Sequence, residues 1–149
     1  MRGPLTLLTL CAALVLGLPV HANEKPSPEF QAAMKELGSV NNALRNNLKT
    51  LDYDAIEKDA TRMKAAFTTV LQFWQEKKVD DAITLSQAGI DGAGELELAA
   101  KAQDHPRVVT AQAAISGSSS SGEIGAIGVC APCHTAHRVR LTDGTYEIK

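Results

Sequence analysis

The residues best suited to chemistry are grouped in the stretch VCAPCHTAHR, residues 129–138. Cys130 and Cys133 stand three positions apart, and His134 directly follows the second cysteine. If this stretch is helical, both sulfurs and the imidazole project from neighbouring parts of one helix face. Such a cluster is compatible with four origins: covalent attachment of haem, a zinc site, a thiol redox pair or a chance grouping.

The beginning of the chain has the features of an export signal. Arg2 supplies a positive start, residues 5–18 form an apolar run, and residues 20–22 (VHA) offer the small residues of a cleavage site. We therefore predict a signal peptide over residues 1–22 that is cleaved after Ala22. The run is shorter than a membrane-spanning helix requires, so a retained anchor is the less favoured alternative.

Export changes the number of cysteines that matter. Cys11 lies inside the leader and follows a leucine, where a lipoprotein signal would want a small residue. The remaining domain, residues 23–149, therefore keeps only Cys130 and Cys133. The expected location is a bacterial periplasm, where neighbouring thiols oxidise unless another group occupies them. A disulfide between them would close too short a loop to stabilise the fold, so their role is expected to be chemical.

Composition narrows the classes of function. The chain has 149 residues, a formal net charge of −2 and only 4% aromatic residues. Lys and Arg are scattered instead of forming a basic stripe, so nucleic acid is not an expected partner. No constellation of acid, base and nucleophile is evident, and we do not expect an enzyme. The aromatic-poor core leaves room for another group to fill it.

The exported part is predicted to be helical almost throughout. Helix starts are indicated at Ser27 with Pro28, near Asp52 or Asp54, near Val79, and at Asp104 or His105 before Pro106. Apolar residues follow each start at a helical period, and no segment alternates like a strand. Three glycines are expected to weaken the third helix locally, namely Gly89, Gly92 and Gly94. The pattern predicts an all-α fold, an antiparallel up-and-down four-helix bundle.

The fourth helical region is interrupted. Residues 116–122 (SGSSSSG) predict a loop or a disordered segment, and residues 123–141 resume a helical pattern. Pro132 within that pattern predicts that a helix starts or kinks near Gly128, because proline lacks an N–H and crowds the preceding turn. Residues 142–149 contain an Asp-Gly turn signal followed by an extended tail.

The alternatives for the cysteine cluster can now be weighed. A thioredoxin-type pair requires strands around the cysteines, and the sequence predicts none there. A zinc site built from Cys130, Cys133, His134 and His137 would crowd four ligands into eight residues, unlike the usual two separated pairs. The C-x-x-C-H order matches covalent haem attachment through both cysteines, with His134 as the proximal iron ligand. Haem c is therefore the favoured interpretation.

In layout, the exported chain resembles the class II c-type cytochromes, the cytochrome c-prime group and its low-spin relatives. The matching motifs are CAPCHTAHR, the MKELG of residues 34–38 and the YDA of residues 53–55. The chain departs from the family at His137, where an aromatic residue is common, at the Ser/Gly insertion and at Pro132. The resemblance implies haem c in an antiparallel four-helix bundle, with a monohaem one-electron carrier or a gas-binding protein as the function.

The resemblance assigns roles to two further residues. A residue of the first helix lies over the distal haem face in this family, and Met34 is the match. A methionine there makes the iron six-coordinate and suited to electron transfer, whereas an apolar side chain leaves it five-coordinate and able to bind NO or CO. Arg138 matches the basic residue that tunes the proximal histidine. Redox partner proteins in the periplasm or membrane are implied, and so is a possible homodimer.

Other candidate residues have structural roles in this interpretation. Met63 is expected in the core, and His105 at a helix start. His137 is expected to face either the haem edge or the solvent. Trp74 is expected in the core or capping the bundle end, with its indole N–H bonded to a partner.

Overall fold

The structure of this chain is a computed structural model that describes residues 23–117 and 128–149. The predicted signal peptide, residues 1–22, lies outside the described residues. The same holds for most of the Ser/Gly segment and for residues 123–127 of the pattern that follows it. None of the helices in the described ranges combines the length and hydropathy needed to cross a membrane.

Most of the described chain is helical, and this confirms the predicted dominance of α structure. The elements are α1 (Pro28–Thr50), α2 (Tyr53–Lys77), α3 (Asp80–Lys101), α4 (His105–Ser116), α5 (Cys130–His137), β1 (Arg138–Arg140) and β2 (Tyr146–Ile148).

Three predicted helix starts carry the expected capping bonds. The Ser27 hydroxyl accepts the N–H of Phe30 at 3.2 Å, and the Asp52 carboxylate accepts that of Ala55 at 3.0 Å. Asp104 accepts the N–H of Arg107 at 3.2 Å, so Asp104 rather than His105 caps α4. Each bond satisfies one of the N–H groups that a first helical turn leaves without a partner.

Consecutive helices pack side by side in antiparallel pairs. Only two residues separate α1 from α2 and α2 from α3, and three separate α3 from α4, and such short connections make neighbours antiparallel. Asn47 near the end of α1 donates to Asp59 near the start of α2 at 2.8 Å. The α2–α3 interface is the most extensive, and those of α1–α2 and α3–α4 follow.

The predicted weak region of α3 is a continuous helix. Gly89 explains why, because a Cβ atom there would lie 2.6 Å from two ring carbons of Phe67 on α2. At Gly92 a Cβ atom would lie 2.9 Å from a side-chain carbon of Ile115 on α4. The missing side chains let α2 and α4 approach α3 closely, and that packing offsets the low helix propensity of glycine.

The buried side chains form two clusters. The first is centred on α1–α4 and contains Val40, Leu44, Ile56, Met63, Leu96 and Val108. The second lies towards the start of α1 and the end of α2, and contains Phe30, Val70, Trp74 and Ile148. Val129 and Cys130, at the start of α5, pack against the first cluster. The ring of His137, at the end of α5, lies 4.9 Å from that of Trp74 in the second.

Pro132 lies in the first turn of α5 instead of kinking a longer helix. The helix begins at Cys130, two residues after the predicted break, so the missing N–H of Pro132 falls where a helix needs no intrahelical donor. Gly128 precedes it in a tight place, where a Cβ atom would collide with the backbone of Ile115 and Gly117. The chain thus returns directly onto the end of α4 before α5 starts.

The prediction of helical structure through residue 141 is wrong, whereas the turn and the extended chain predicted for residues 142–149 are present. The helix ends at His137, and β1 pairs with β2 in an antiparallel hairpin that places Arg138 opposite Ile148. Gly144 in the connecting turn has φ of +85°, a value that glycine adopts without strain. The Asp-Gly turn was visible in the sequence, but strands of three residues are too short to show an alternating pattern.

Candidate functional site

A cavity of about 790 Å³ lies between α1, α2, α5 and the C-terminal hairpin. Over the described residues, α5 packs on α3 and α4, while α1 packs mainly on α2. The space between α1 and α5 is therefore left open and forms the cavity. Its volume falls within the range of about 300–1,000 Å³ that is usual for ligand and cofactor sites.

One wall of the cavity is the cysteine motif on α5. Cys130, Cys133 and His134 all line it, as expected for residues spaced three and four apart on a helix. Both cysteines are free and partly buried. Burial raises the pKa of the Cys130 thiol. Burial, reinforced by Cys130 and Asp81, raises the pKa of Cys133 to about 11. Both thiols are therefore protonated and uncharged at neutral pH.

The surroundings of His134, an exposed residue, favour its neutral form. Partial burial lowers the pKa of its imidazole, and the nearby charge of Arg138 lowers it further. Neutral imidazole is the form that binds a metal ion. Arg138 also lines the cavity, and its guanidinium lies over the ring of Tyr146 at 3.9 Å from the ring centroid. That stacking holds the charge of Arg138 in place beside the histidine.

The opposite wall is the face of α1 that carries Met34. Met34, Leu37, Gly38 and Asn41 line the cavity from this helix, at the spacing of one helical face. Gly38 stands out because a Cβ atom there would meet nothing within 4 Å. Packing within the chain does not require glycine at this point. An open cradle in the middle of a helix suits the close approach of a flat molecule to the backbone.

Met34 and Met63 differ in their surroundings. Met34 is half-buried and packs against the edge of the second cluster, so part of its side chain is free to meet a ligand. Met63 is 1% exposed and belongs to the first cluster, although it also touches the cavity. The predicted core role of Met63 is therefore confirmed.

Two buried polar atoms at the cavity lack hydrogen-bond partners among the described residues: Asn41 Oδ1 and Trp74 Nε1. Trp74 lies in the core, as predicted, but none of the described residues is the partner expected for its indole N–H. Trp74 is surrounded by aromatic rings, with Phe30 at 5.7 Å and Phe73 at 5.0 Å between centroids. An unsatisfied buried polar atom costs about 1–3 kcal/mol, so both atoms indicate a polar group that the described residues do not supply.

His137 lines the cavity with one side of its ring and turns its Nε2 outward. Nε2 lies 2.9 Å from Asp81 Oδ2, and the ring packs beside Trp74. His105 is exposed at the first position of α4, as predicted for a helix start.

Sequence reasoning missed several residues of the cavity. Trp74 and Asn41 were not recognised as cavity residues, because an unpartnered polar atom becomes evident only when its neighbours are known. Gly38 was quoted only as part of a motif. The hairpin residues Leu141, Tyr146 and Ile148 also line the cavity, and the short strands gave no signal for them.

Within the described ranges, no three His, Cys, Asp or Glu side chains converge to hold a metal ion by themselves. Comparison of the chain with family models, with curated proteins and with solved structures returns no match.

Proposed function

We propose that this chain is an exported monohaem c-type cytochrome that carries one electron at a time. The observation that carries the proposal is the cavity itself. The C-x-x-C-H motif on α5 lines it together with Met34 and Gly38 on α1. The motif alone is short enough to occur by chance, but its position on the wall of a cofactor-sized cavity is independent support.

The donor set fits haem c. Cys130 and Cys133 would hold haem through thioether bonds, and His134 would bind the iron as the proximal ligand. Both cysteines are free, and partial burial and Arg138 favour the neutral imidazole. Haem c, when bound, supplies an iron that cycles between Fe(III) and Fe(II). The residues of this chain would bind and orient it.

Met34 is the proposed sixth ligand. Its thioether is a soft, uncharged ligand that favours Fe(II) and raises the reduction potential. A six-coordinate iron suits electron transfer and leaves no open position for a gas. In the proposed architecture, α1, α2, α3 and the α4–α5 region form an antiparallel four-helix bundle, with haem between the first and last members.

The state of the thiols argues against a redox pair. Reactive cysteines have lowered pKa values because the thiolate is the nucleophile. Burial instead raises the pKa of both thiols here, that of Cys133 to about 11. A buried neutral thiol is a poor nucleophile as it stands.

The proposal includes where the protein works. A cleaved leader, residues 1–22, would deliver the chain to the periplasm, where haem c is attached. Its partners would be redox proteins of the periplasm or the membrane. The protein would pass electrons between them rather than act as an enzyme.

Haem attachment is tested by expressing the full chain in a periplasm that has a haem c maturation system. The mass of the purified protein, after denaturation and extraction, should equal that of residues 23–149 plus one haem. A Cys130→Ser, Cys133→Ser double variant should retain none after the same extraction. Unmodified wild-type protein, with or without bound zinc, would contradict the proposal.

A further inference from the structure

The indole N–H of Trp74 indicates a contact with the proposed haem beyond the two cysteines and the two iron ligands. This inference rests on the proposed function. Trp74 is 1% exposed and its Nε1 has no partner within the described chain. A buried N–H without an acceptor is uncommon in folded proteins. Since Trp74 lines the cavity, the missing acceptor belongs to whatever occupies it.

Neighbouring polar groups do not supply that acceptor. The ring of His137 lies beside Trp74, but its Nε2 faces Asp81, and neither ring nitrogen accepts a bond from the indole N–H. The other close neighbours are rings of phenylalanine and aliphatic side chains of the second cluster.

Two cations lie at the same end of the cavity, and Ile148 connects them to Trp74. Ile148 packs in one cluster with Trp74. The N–H of Ile148 donates to the carbonyl oxygen of Glu24 at 2.8 Å, and its carbonyl oxygen accepts the N–H of Glu24 at 2.9 Å. Lys25, the next residue, therefore lies close to Ile148. On its other side Ile148 pairs with Arg138. Lys25 and Arg138 both line the cavity, so an indole donor and two positive charges share this end.

The carboxylates around this end are largely engaged elsewhere. Glu24 pairs with Lys77, and Asp81 with His137. Asp143 accepts the N–H and hydroxyl of Thr145 at 2.9 and 2.7 Å. Glu147 also lines the cavity, but on β2 it alternates in side with Ile148, the residue that packs in one cluster with Trp74. The positive charges therefore remain available to an anion in the cavity.

We propose that Trp74 is a positioning residue that donates its indole N–H to a propionate carboxylate of the haem. Lys25 and Arg138 supply the positive charge at that end. A carboxylate is the one anionic group that haem carries, and a hydrogen bond to a charged acceptor is stronger than one to a neutral acceptor. The contact would fix the rotation of the macrocycle beyond what the two thioether bonds determine.

The wild-type holoprotein provides the first test, because the chain contains a single tryptophan. The indole N–H resonance is recorded as a function of pH together with the reduction potential. It should move with the same midpoint at which the potential changes, since ionisation of a propionate stabilises Fe(III). The titration is repeated with His137→Gln, because His137 lies beside the indole. An indole resonance that is insensitive to pH, or whose movement is lost in His137→Gln, would overturn the proposal.

Substitution provides the second test. Trp74→Phe keeps an aromatic ring and removes only the donor, so it should raise the pH midpoint of the potential by about one unit. Lys25→Gln should move it in the same direction. Lys58→Gln is the matched control, since Lys58 is exposed on α2 and does not line the cavity. An unchanged midpoint in a haem-loaded Trp74→Phe protein overturns the inference alone, and would indicate a water partner. Failure of the wild type to attach haem overturns both proposals.

Discussion

At the scale of single residues, Gly38 is a glycine in the middle of a helix that close packing within the described residues does not explain. Glycine in the middle of a helix costs about 1 kcal/mol relative to alanine. At Gly89 the close approach of Phe67 accounts for that cost, but at Gly38 no atom of the chain lies near the position of a Cβ. A haem face lying against the backbone of α1 would account for it.

Substitution of Gly38 by Leu should therefore impair the site and not the helix. The leucine side chain would project into the cavity between Met34 and the cysteine motif, and haem-loaded yield should fall several-fold relative to wild type. The haem absorbance per mole of purified protein measures this. Gly94→Leu is the control, because a Cβ at Gly94 meets only the end of Lys64 at 4.0 Å. Equal haem content in the Gly38 and Gly94 variants would show that α1 does not lie against haem.

The residues of the site divide sharply in how well a sequence predicts them. The motif of Cys130, Cys133 and His134 is defined by residue types and their spacing, so it was evident without a structure. Trp74 is apolar in most of its surface, and helical periodicity placed it correctly in the core. Its unpaired N–H could not be predicted, because partners of a buried donor come from elements far away in the sequence.

At the scale of elements, the glycines of α3 decide how closely the helices approach. A Cβ at Gly89 would lie 2.6 Å from ring carbons of Phe67, so the two helices would have to separate or the ring would have to turn. Periodicity alone predicted a locally weak helix here. The packing partner, which is 22 residues away in the chain, reverses that expectation.

Gly89→Ala should destabilise the protein although alanine is the better helix former. Overpacking of a tight interface costs about 1–3 kcal/mol, which exceeds the gain of about 1 kcal/mol in helix propensity. Denaturant unfolding of the haem-loaded protein measures the difference. Gly94→Ala on the same helix should be neutral or stabilising. A stabilised Gly89→Ala protein would show that α2 and α3 are further apart than described here.

The end of α5 is a helix boundary that the local sequence pattern does not predict. Caps and proline rules located the starts of α1, α2 and α4, because Ser27, Asp52 and Asp104 act through bonds to residues three positions away. The end of α5 depends instead on β2, which pairs with Arg138–Arg140 from beyond the turn. A strand of three residues that is stabilised by pairing with another strand shows no recognisable pattern in its own sequence.

At the scale of the whole molecule, the C-terminal hairpin ties both ends of the described chain to the cavity. Ile148 lies between Glu24 and Arg138 in a small sheet. The backbone N–H of Lys149 donates to the carbonyl oxygen of His137 at 3.1 Å, and its Nζ donates to that of Thr135 at 2.8 Å. The end of α5, the start of the described chain and the second cluster are thus joined at one place.

Ile148→Ala should therefore destabilise the end of α5 and the second cluster as well as β2. Ile148 is 7% exposed, and truncation of a buried isoleucine to alanine costs about 2–5 kcal/mol. The loss should be seen in denaturant unfolding and as faster hydrogen exchange at the end of α5. Val139→Ala, at a half-buried position of β1 that pairs with Glu147, should cost much less. Similar losses in the two variants would mean that the hairpin does not anchor the second cluster.

The central claim, that Met34 and His134 face each other across a bound haem, is tested most directly by visible spectroscopy of the periplasmically matured protein. Spectra are recorded oxidised, reduced with dithionite, and reduced under carbon monoxide, for wild type and Met34→Ala. We predict sharp low-spin reduced bands in the wild type that carbon monoxide leaves unchanged, and a high-spin, carbon monoxide-binding spectrum in the variant. Wild-type bands that are high-spin and shift with the gas would contradict methionine ligation and indicate a gas-binding protein. Absence of haem bands would contradict the whole account.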